Sequence, residues 1–379
     1  MAVPYGHQAV DDADIQAVVD VLRGEWLTQG PAVAAFEETF AERCGAPYAV
    51  AFSSGTAALH AAAFAAGIGP GDELVTSALT FAASANCGAY LGATPRFADI
   101  DRSTWNVTAE TIAASVGPRT RVVIPVHFAG LPAPVEDIRD ALAENVTIIE
   151  DAAHALGAHR AGAQIGSCRH SHMTTFSFHP VKAIAAGEGG MVTTRDPQLR
   201  ERLTRFRNHG LTNDRSSLTR DEGAWYAEQQ DLGFNYRLSD IHSALGRSQL
   251  AKLDRYIELR NVIAARYRES LDGIGDLVLP PEAPADSLHA YHLFIVQHCG
   301  GREARRRLYG ELHERGILVQ VHYLPVYLHP WYRRLYGYEP GLCPEAERYY
   351  AGCLSLPCFP GLTEEDQRLV VDTLWDLCA

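Results

Sequence analysis

Seven short β-rich runs alternate with helical stretches through the first two thirds of the chain. Several of these runs are continuously apolar instead of alternating between apolar and polar residues, which is typical of strands buried on both faces. Such strands need helices on both sides of the sheet, so the pattern predicts an α/β fold around a mostly parallel sheet. The predicted strands are residues 48–52, 73–76, 95–98, 122–126, 146–149, 173–176 and 190–194.

The length of 379 residues predicts two domains, because a single hydrophobic core stops growing at about 250–300 residues. We expect residues 1–250 to form a large domain and residues 251–379 a smaller C-terminal α/β domain. An amphipathic helix is predicted over residues 239–271, and the Pro-rich stretch 279–284 marks a change of pattern after it. The polar stretch 211–230 has little periodicity and predicts a long surface loop.

The overall charge excludes two classes of partner. Asp and Glu outnumber Lys and Arg by 46 to 33, which gives a formal net charge of −13 at pH 7. Nucleic acids and anionic membranes are bound through clustered cations, so we expect neither as a partner. No apolar run reaches the ~18 residues of a membrane helix either. Any phosphate group must therefore be bound locally, by a few donors.

The cysteines and histidines show no pattern of a metal site or a disulfide framework. The eight cysteines contain no C-x-x-C pair, and the 16 histidines form no H-E-x-x-H motif and no Cys/His cluster with ligand spacing. We therefore expect reduced thiols and no metal ion, which excludes a metal hydrolase. The first residues lack a cationic segment followed by an apolar run, so we expect a cytoplasmic protein.

The segment Ser53-Ser-Gly-Thr56 lies directly after predicted strand 48–52 and directly before an Ala-rich helix. A small polar turn before a helix presents free backbone N–H groups and the positive end of the helix dipole to an anion. The hydroxyl groups of Ser54 and Thr56 add two donors. The same residues also suit a simple helix N-cap, and the turn alone does not distinguish a phosphate site from a cap.

The apolar strand at 146–149 delivers Asp151 close to its carboxyl end. In open α/β sheets ligands bind outside the carboxyl ends of the strands, which places Asp151 where a cofactor would lie. A carboxylate at that position can keep a heterocyclic nitrogen protonated. The alternative is that Asp151 caps the next helix, and His154 by itself is typical of a structural histidine.

Only two lysines occur in the chain, so any mechanism that needs a lysine amine has two candidates. Lys182 follows a predicted strand that ends near Ser177, and it lies among small apolar residues before the Gly-rich segment 187–190. Desolvation there lowers the pKa of the amine and makes it available for a Schiff base. Lys252 lies in a helix whose apolar stripe excludes it, so we expect it on a solvated face.

Together these three segments meet the requirements of pyridoxal 5′-phosphate, namely an anion cradle, an acid for the pyridine nitrogen and a reactive lysine. Their order and motifs resemble the nucleotide-sugar aminotransferases of the DegT/StrS group, essentially from end to end. The resemblance implies the fold of type I aminotransferases, with a mostly parallel seven-stranded sheet in the large domain. The motifs are Pro4-Tyr-Gly, Glu25-Trp-Leu-Thr-Gln-Gly-Pro31, the Ser-Gly-Thr turn, Thr80-Phe-Ala-Ala-Ser-Ala-Asn86, Gly92-Ala-Thr-Pro95, Glu150-Asp-Ala-Ala-His154, S-F-H-x-x-K at 177–182, G-E-G-G at 187–190, Gly233-Phe-Asn-Tyr-Arg-Leu-Ser-Asp240 and Val321-His-Tyr-Leu-Pro325.

The resemblance implies roles for particular residues. Lys182 matches the lysine that forms the Schiff base, and Asp151 matches the partner of the pyridine nitrogen. Asn235 matches a residue that reaches the cofactor phosphate of the neighbouring subunit, which implies a homodimer with shared active sites. The other cofactor contacts that the resemblance implies are Gly55, Thr56 and Ser177 at the phosphate, Phe81 over one ring face, and His154. Ser54 is an expected cofactor contact through its hydroxyl group.

Within the family, the segments at 4–8, 26–30 and 83–87 resemble the aminotransferases of the pseudaminic-acid pathway. These enzymes aminate C4 of a UDP-linked 4-keto-6-deoxy-N-acetylhexosamine, and the implied amino donor is L-glutamate, with ping-pong kinetics. Relatives that act on C3 ketosugars or aminocyclitols share many of the same features and remain alternatives. A non-catalytic regulatory protein that binds the cofactor is an alternative of a different class. Such a role would tolerate loss of Lys182 or Asp151, but both residues are present.

Four further residues are candidate substrate contacts. His322 and Tyr323 can hydrogen-bond a sugar nucleotide, or they can form a structural pair in a loop of the smaller domain. Tyr5 is an additional candidate. Arg237 can clamp the carboxylate of the amino donor or brace the subunit interface, and the sequence does not decide between these roles.

Overall fold

The computed structural model describes residues 2–378, which contain thirteen α-helices and seventeen β-strands. The strands are β1 Val3–Pro4, β2 Tyr48–Phe52, β3 Glu73–Ser77, β4 Thr94–Ala98, β5 Thr120–Ile124, β6 Thr147–Asp151, β7 His159–Arg160, β8 Ala163–Gln164, β9 Met173–Ser177, β10 Gly190–Thr194, β11 Leu211–Thr212, β12 Glu228–Gln229, β13 Leu277–Val278, β14 Ser287–Leu288, β15 Phe294–His298, β16 Ile317–Leu318 and β17 Cys353–Leu356. The helices are α1 Asp12–Arg23, α2 Pro31–Cys44, α3 Gly55–Ala65, α4 Ala83–Ala89, α5 Ala109–Ala113, α6 Val135–Ala141, α7 Pro197–Phe206, α8 Asp240–Leu250, α9 Leu253–Leu271, α10 Gly301–Glu314, α11 Pro330–Tyr336, α12 Pro344–Gly352 and α13 Glu364–Cys378.

The seven predicted runs form one seven-stranded sheet, and the ends of the strands differ from the prediction by no more than two residues. The strand order is β2-β10-β9-β6-β5-β3-β4. Every neighbouring pair is parallel except the two pairs that contain β10, which runs antiparallel to β2 and β9. The predicted α/β class and mostly parallel sheet are confirmed.

Helix α3 brings its N-terminus to the carboxyl edge of this sheet. The helix is rich in alanine, and its small side chains are buried against the sheet, which lets its axis lie close to β9 and β10. Phe52 at the end of β2 pairs with Gly190, and Gly190 also pairs with Ser177 at the end of β9. The turn before α3, the end of β9 and the start of β10 therefore meet at one edge of the sheet.

The C-terminal part of the chain has a core of its own around the antiparallel sheet β13-β15-β17. The first strand belongs to this region, because β1 pairs with β16 and Val3 is buried in the same core. The division of the chain at residue 250 stays a prediction. None of the helices in residues 2–378 is both long enough and apolar enough to span a membrane.

The helix predicted over residues 239–271 is two helices, α8 and α9, which are separated by Ala251 and Lys252. The prediction of a solvated Lys252 was wrong. Its Nζ lies 2.8 Å from Oδ2 of Asp14, which is fully buried, and it also pairs with Asp11. Burial opposes the charge, but these two hydrogen-bonded ion pairs raise the pKa of Lys252. Lys252 is therefore a structural cation that links the N-terminus of α1 to the junction between α8 and α9.

The predicted loop at 211–230 is largely exposed, but its two ends are tied together by the antiparallel pair β11 and β12. Glu228 binds the far side of the loop, because its carboxylate accepts hydrogen bonds from the backbone and side chain of Thr219. Residues 211–230 thus form a long surface loop that is stabilised by hydrogen bonds within the loop itself.

Candidate active site

A cavity of about 390 Å³ lies beside the carboxyl ends of β6 and β9 and the N-terminus of α3. Ligands of open α/β sheets bind at this edge, and the volume is typical of a small-molecule site. Eleven of the thirteen residues that the sequence predicts for the site line the cavity. They are Tyr5, Ser54, Gly55, Thr56, Phe81, Asp151, His154, Ser177, Lys182, His322 and Tyr323.

The N-terminus of α3 lines one part of the cavity. Ser54 is the N-cap residue, and its Oγ accepts a hydrogen bond of 3.1 Å from the backbone N–H of Ala57. The capping role is thus real, and it leaves the N–H groups of Gly55 and Thr56 at the open end of the helix. A Cβ atom on Gly55 would lie 2.8 Å from Cβ of Ser177, so the turn requires glycine there. Backbone donors and the Ser177 hydroxyl converge on a space that suits an anion.

The Asp151 carboxylate lies at the carboxyl end of β6, the middle strand of the sheet, and the residue is only 6% exposed. Its Oδ1 accepts a hydrogen bond of 3.0 Å from the backbone N–H of Ala153, and its Oδ2 accepts one of 2.6 Å from Oγ of Ser84. The carboxylate is therefore held in one orientation. The carboxylate lines the cavity. The alternative prediction of a helix cap was wrong, because the residues after Asp151 form turns and then strand β7 instead of a helix.

Lys182 lies in the loop between β9 and β10, where its backbone N–H donates to the carbonyl of His179 at 2.8 Å. Burial lowers the pKa of the Lys182 amine to about 8; the charge of Asp151 opposes this shift and that of Arg260 adds to it. The burial effect is the one expected from the small apolar residues that follow Lys182 in the sequence. Near neutral pH the Lys182 amine is therefore still mostly protonated, but it loses its proton far more readily than a solvated lysine does.

A pair of polar rings forms a second part of the cavity wall. Nε2 of His154 lies 3.2 Å from the hydroxyl of Tyr323. Nδ1 of His154 is buried and has no hydrogen-bond partner within residues 2–378. Burial, followed by the charges of Lys182 and His322, holds the pKa of His154 well below its usual range. His154 is therefore neutral at physiological pH, and its ring can donate or accept but carries no charge.

The wall continues with residues from the two distant ends of the sequence. Nδ1 of His322 lies 2.7 Å from Oγ of Ser355, and burial, with a contribution from Lys182, lowers the pKa of His322 to about 3. The ring of Tyr5 lies 5.3 Å from the ring of His322, centroid to centroid. Phe81 is 60% exposed at the cavity, with its ring centroid 6.1 Å from that of Tyr323. These residues give the wall an aromatic surface with uncharged polar groups.

Asn235 and Arg237 do not line the cavity in this chain. Nη1 of Arg237 donates to Oδ1 of Asn208 at 2.7 Å, and Asn208 forms an isolated β-bridge with Asn235. Both residues therefore lie around Asn208, with the Asn235 side chain exposed. The predicted contact of Asn235 with the cofactor phosphate of a neighbouring subunit stays a prediction, as does the role of Arg237.

Two residues that support the site from behind the cavity wall, Ser84 and His292, escaped the sequence prediction. Ser84 holds Asp151, and it lies inside the Thr80–Asn86 segment that carries the family resemblance, so that segment was the available signal. His292 packs against His154 with 4.3 Å between ring centroids and an interplanar angle of 39°. It reaches the site from between β14 and β15, and nothing in its local sequence indicates this.

The residues of the cavity fit pyridoxal 5′-phosphate. The open N–H groups of α3 suit its phosphate, the buried carboxylate suits its ring nitrogen, and the amine of low pKa suits its aldehyde. At the phosphate end of the cavity, the backbone of Gly190 packs directly against the backbone of Ser54. A Cβ atom on Gly190 would lie 2.4 Å from the carbonyl oxygen of Ser54. Only small residues at these positions leave the cradle its shape.

The sequence matches the DegT/DnrJ/EryC1/StrS aminotransferase family over residues 8–375. It is 38% identical to the spore coat polysaccharide biosynthesis protein SpsC of Bacillus subtilis (strain 168) over 380 aligned positions, which cover 99% of this chain and 97% of SpsC. The match therefore spans both proteins almost completely.

Two solved structures show how far the likeness extends in three dimensions. PseC of Helicobacter pylori, an aminotransferase involved in the biosynthesis of pseudoaminic acid, has a TM-score of 0.90 and 28% identity, with 100% of this chain and 99% of that chain covered. The PLP form of the putative sugar aminotransferase Spr1654 from Streptococcus pneumoniae has a TM-score of 0.91 and 27% identity, with 100% and 99% covered. The type I aminotransferase fold is confirmed.

Proposed function

The chain belongs to the DegT/DnrJ/EryC1/StrS aminotransferase family, and from this premise we propose that it transfers an amino group from L-glutamate to a ketone carbon of a nucleotide-linked sugar. Family membership makes it a pyridoxal-phosphate-dependent aminotransferase. The proposal goes further and places the reaction at C4 of a UDP-4-keto-6-deoxy-N-acetylhexosamine. The observation that carries the transamination is the meeting of Lys182, Asp151 and the N-terminus of α3 in one cavity. The C4 position is supported by the likeness to PseC.

The chain's own residues would hold the cofactor at three points. When bound, pyridoxal phosphate supplies an aldehyde that accepts amino groups and a ring that stabilises negative charge on the neighbouring carbon. The N–H groups of Gly55 and Thr56 and the hydroxyl of Ser177 would bind the phosphate. The Asp151 carboxylate would accept a hydrogen bond from the protonated ring nitrogen, and its burial makes that pairing strong.

Lys182 would hold the cofactor through Nζ and then carry a proton on the same atom. Efficient proton transfer needs a group whose pKa lies near the working pH, and burial brings the pKa of Lys182 to about 8. The neutral state of His154 avoids a second cation beside the amine, which would lower the pKa of Lys182 further. Lys182 can therefore take up and return a proton within one catalytic cycle.

The uncharged polar wall supports a sugar as the amino acceptor. Sugar hydroxyl groups both donate and accept hydrogen bonds, and the phenol of Tyr5 and the imidazole of His322 can do the same without charge. His322 and Tyr323 line the cavity, which favours the substrate-binding interpretation over a purely structural pair. PseC acts in the biosynthesis of pseudoaminic acid, and this likeness supports the UDP-sugar substrate.

We also propose that the enzyme is a cytoplasmic homodimer with shared active sites. Asn235 is exposed and Arg237 lies outside the cavity of its own chain, which supports their contact with a second subunit. Arg237 is engaged by Asn208 at 2.7 Å, so the interface role suits it better than a role as a free clamp for the donor. All eight cysteines are free, which agrees with a reducing compartment.

The experiment is a substrate panel with glutamate as donor, in which release of 2-oxoglutarate is measured. UDP-4-keto-6-deoxy-N-acetylhexosamine should give the highest kcat/KM, followed by dTDP-linked and C3-keto sugars and aminocyclitol precursors. A preference for a C3 ketone would overturn the C4 assignment, and no turnover with any of these acceptors would overturn the proposed substrate class.

The same preparation tests the lysine. Borohydride reduction of the yellow holoprotein should fix the cofactor onto the peptide that contains Lys182, as mass spectrometry would show. An adduct on Lys252 would contradict the assignment.

A further inference from the structure

Two buried hydroxyl groups, one just before α4 and one in its first turn, form a hydrogen-bonded chain to the Asp151 carboxylate. Oγ1 of Thr80 lies 2.8 Å from Oγ of Ser84, and Oγ of Ser84 lies 2.6 Å from Oδ2 of Asp151. We propose that Ser84, supported by Thr80, is a positioning residue that aims the Asp151 carboxylate at the pyridine nitrogen of the cofactor. This inference rests on the cofactor-pairing role proposed for Asp151.

The distances fix the direction of the chain. The Ser84 hydroxyl has one proton and three acceptors within reach, Oδ2 of Asp151 at 2.6 Å, Oγ1 of Thr80 at 2.8 Å and the carbonyl oxygen of Phe81 at 3.3 Å. The carboxylate oxygen is nearest and charged, so it takes the proton. The Ser84 oxygen is then free to accept, and the Thr80 hydroxyl donates to it. Each donor in the chain thus points towards Asp151.

Burial makes this chain important for the orientation of the carboxylate. Thr80 is 2% exposed and Ser84 is fully buried, so bulk water does not compete for either hydrogen bond. Oδ1 of Asp151 is held by the backbone N–H of Ala153, and Ser84 is what holds Oδ2. Without the Ser84 hydroxyl, one oxygen would be unrestrained and the carboxyl group would turn about its Cβ–Cγ bond.

Helix α4 is itself fixed in place, which makes Ser84 a rigid donor. Oδ1 of Asn86 accepts a hydrogen bond of 2.5 Å from the hydroxyl of Tyr332. Gly88 lies against Leu74 of β3 so closely that a Cβ atom on it would meet Cδ1 of Leu74 at 2.9 Å. The helix is thus held from the sheet side and from the C-terminal region. A hydrogen-bond donor on a rigid helix restrains its acceptor better than a donor on a mobile loop does.

The test uses holoprotein reconstituted with pyridoxal phosphate that carries ¹⁵N in its ring, because the ¹⁵N chemical shift reports protonation of that nitrogen directly. We expect the Ser84→Ala resonance to move towards that of an unprotonated pyridine. The maximal rate constant of the glutamate half-reaction should fall about tenfold, equivalent to about 1.4 kcal/mol. The dissociation constant of glutamate should stay unchanged within about twofold. Thr80→Val should shift the resonance in the same direction by a smaller amount.

The matched control is Ser77→Ala, which removes another buried hydroxyl on the same segment. Ser77 is 2% exposed, and its Oγ accepts from the backbone N–H of Leu79 instead of reaching Asp151. It should leave both the resonance and the maximal rate constant unchanged. A Ser84→Thr variant that restores the wild-type resonance would support the hydroxyl as the cause.

Asp151→Asn serves as the reference that separates two failures. If its resonance moves and that of Ser84→Ala does not, the positioning role is wrong while Asp151 keeps its proposed role. If the Asp151→Asn resonance stays at the wild-type position, both roles are wrong. If Ser84→Ala does not fold, Thr80→Val decides: an unchanged resonance in that variant would overturn the hydroxyl chain.

Discussion

The two lysines of the chain should separate stability from chemistry when each is replaced by alanine. Lys252→Ala removes the cation that lies 2.8 Å from Oδ2 of the fully buried Asp14. Three donors to that carboxylate remain, namely the backbone N–H of Asp11 at 3.1 Å and the side chains of Ser248 and Gln249, each at 2.6 Å. The variant therefore leaves a buried carboxylate that is hydrogen-bonded but has lost its charge partner.

The size of the effect follows from this arrangement. Removing one partner of a fully buried ion pair costs about 3–5 kcal/mol. The Lys252 side chain is 20% exposed and the remaining donors compensate part of the loss, so we expect about 2 kcal/mol. The folded-state pKa of Lys252 is raised, so its stabilising contribution is fully present at pH 7 and is lost only as pH rises through that value.

Lys182→Ala should behave in the opposite way. The pKa of Lys182 falls from 10.5 to about 8 on folding, so between these values the unfolded chain binds more protons and stability rises with pH. Below about pH 8 the ammonium is charged in both states and its burial is unfavourable. At pH 7 the substitution should therefore not lower the stability of the cofactor-free protein, although it should abolish turnover.

Urea denaturation of both cofactor-free variants at pH 7, followed by tryptophan fluorescence, measures the first quantity. The second is 2-oxoglutarate release by the holoproteins. Lys252→Ala should unfold at lower urea concentration with the same slope and keep most of its activity. A wild-type midpoint for Lys252→Ala would show that the ion pair with Asp14 does not stabilise the fold. A large loss of stability for Lys182→Ala would show that burial of the Lys182 ammonium is not unfavourable.

Three further predictions concern the site. Asp151→Asn should keep its fold and lower the rate of the glutamate half-reaction by roughly 10²-fold, as stopped-flow absorbance would show, because an amide cannot hold the pyridinium charge; near-normal turnover would show that another acid does so. Gly190→Ala should weaken pyridoxal phosphate binding by at least about tenfold in a fluorescence titration, because the new Cβ would lie 2.4 Å from the Ser54 carbonyl oxygen. The control is Gly69→Ala, because a Cβ at that position meets nothing within 4 Å. Mixing inactive Lys182→Ala and Asn235→Ala subunits should restore roughly a quarter of wild-type activity per total protein if the sites are shared, and no recovery in verified hybrids would contradict this.

The central sheet was predictable because its strands carry their signal locally. Short β-rich runs that are bounded by turn residues, several of them continuously apolar, locate all seven strands, and the Ser54 turn and the Asp151 position follow from where those strands end. The direction of β10 was not available from composition, because a buried strand looks the same in either direction. The break at Ala251 was also invisible, because the apolar stripe continues from α8 into α9.

The residues that escaped prediction act through tertiary contacts. Ser84 lies among alanines, where a buried serine has no distinctive pattern until Asp151 is placed beside it. Lys252 looks solvated on a helical wheel, and only the packing of α1 reveals Asp14 as its partner. His292 approaches His154 from a different part of the chain. Local sequence records propensity and periodicity, but it does not record which distant groups meet.

The pairing of β1 with β16 has a consequence for how the enzyme assembles during synthesis. The anion cradle joins residues near positions 54 and 177, but the aromatic wall joins Tyr5 to His322, about 300 residues further along the chain. Loop closure over such a separation is slow and must wait until the later segment has left the ribosome. A growing chain should therefore acquire its phosphate-binding turn well before its wall. During that interval Tyr5 has no place to dock, and the nascent protein should depend on chaperones to keep its N-terminal segment from other partners.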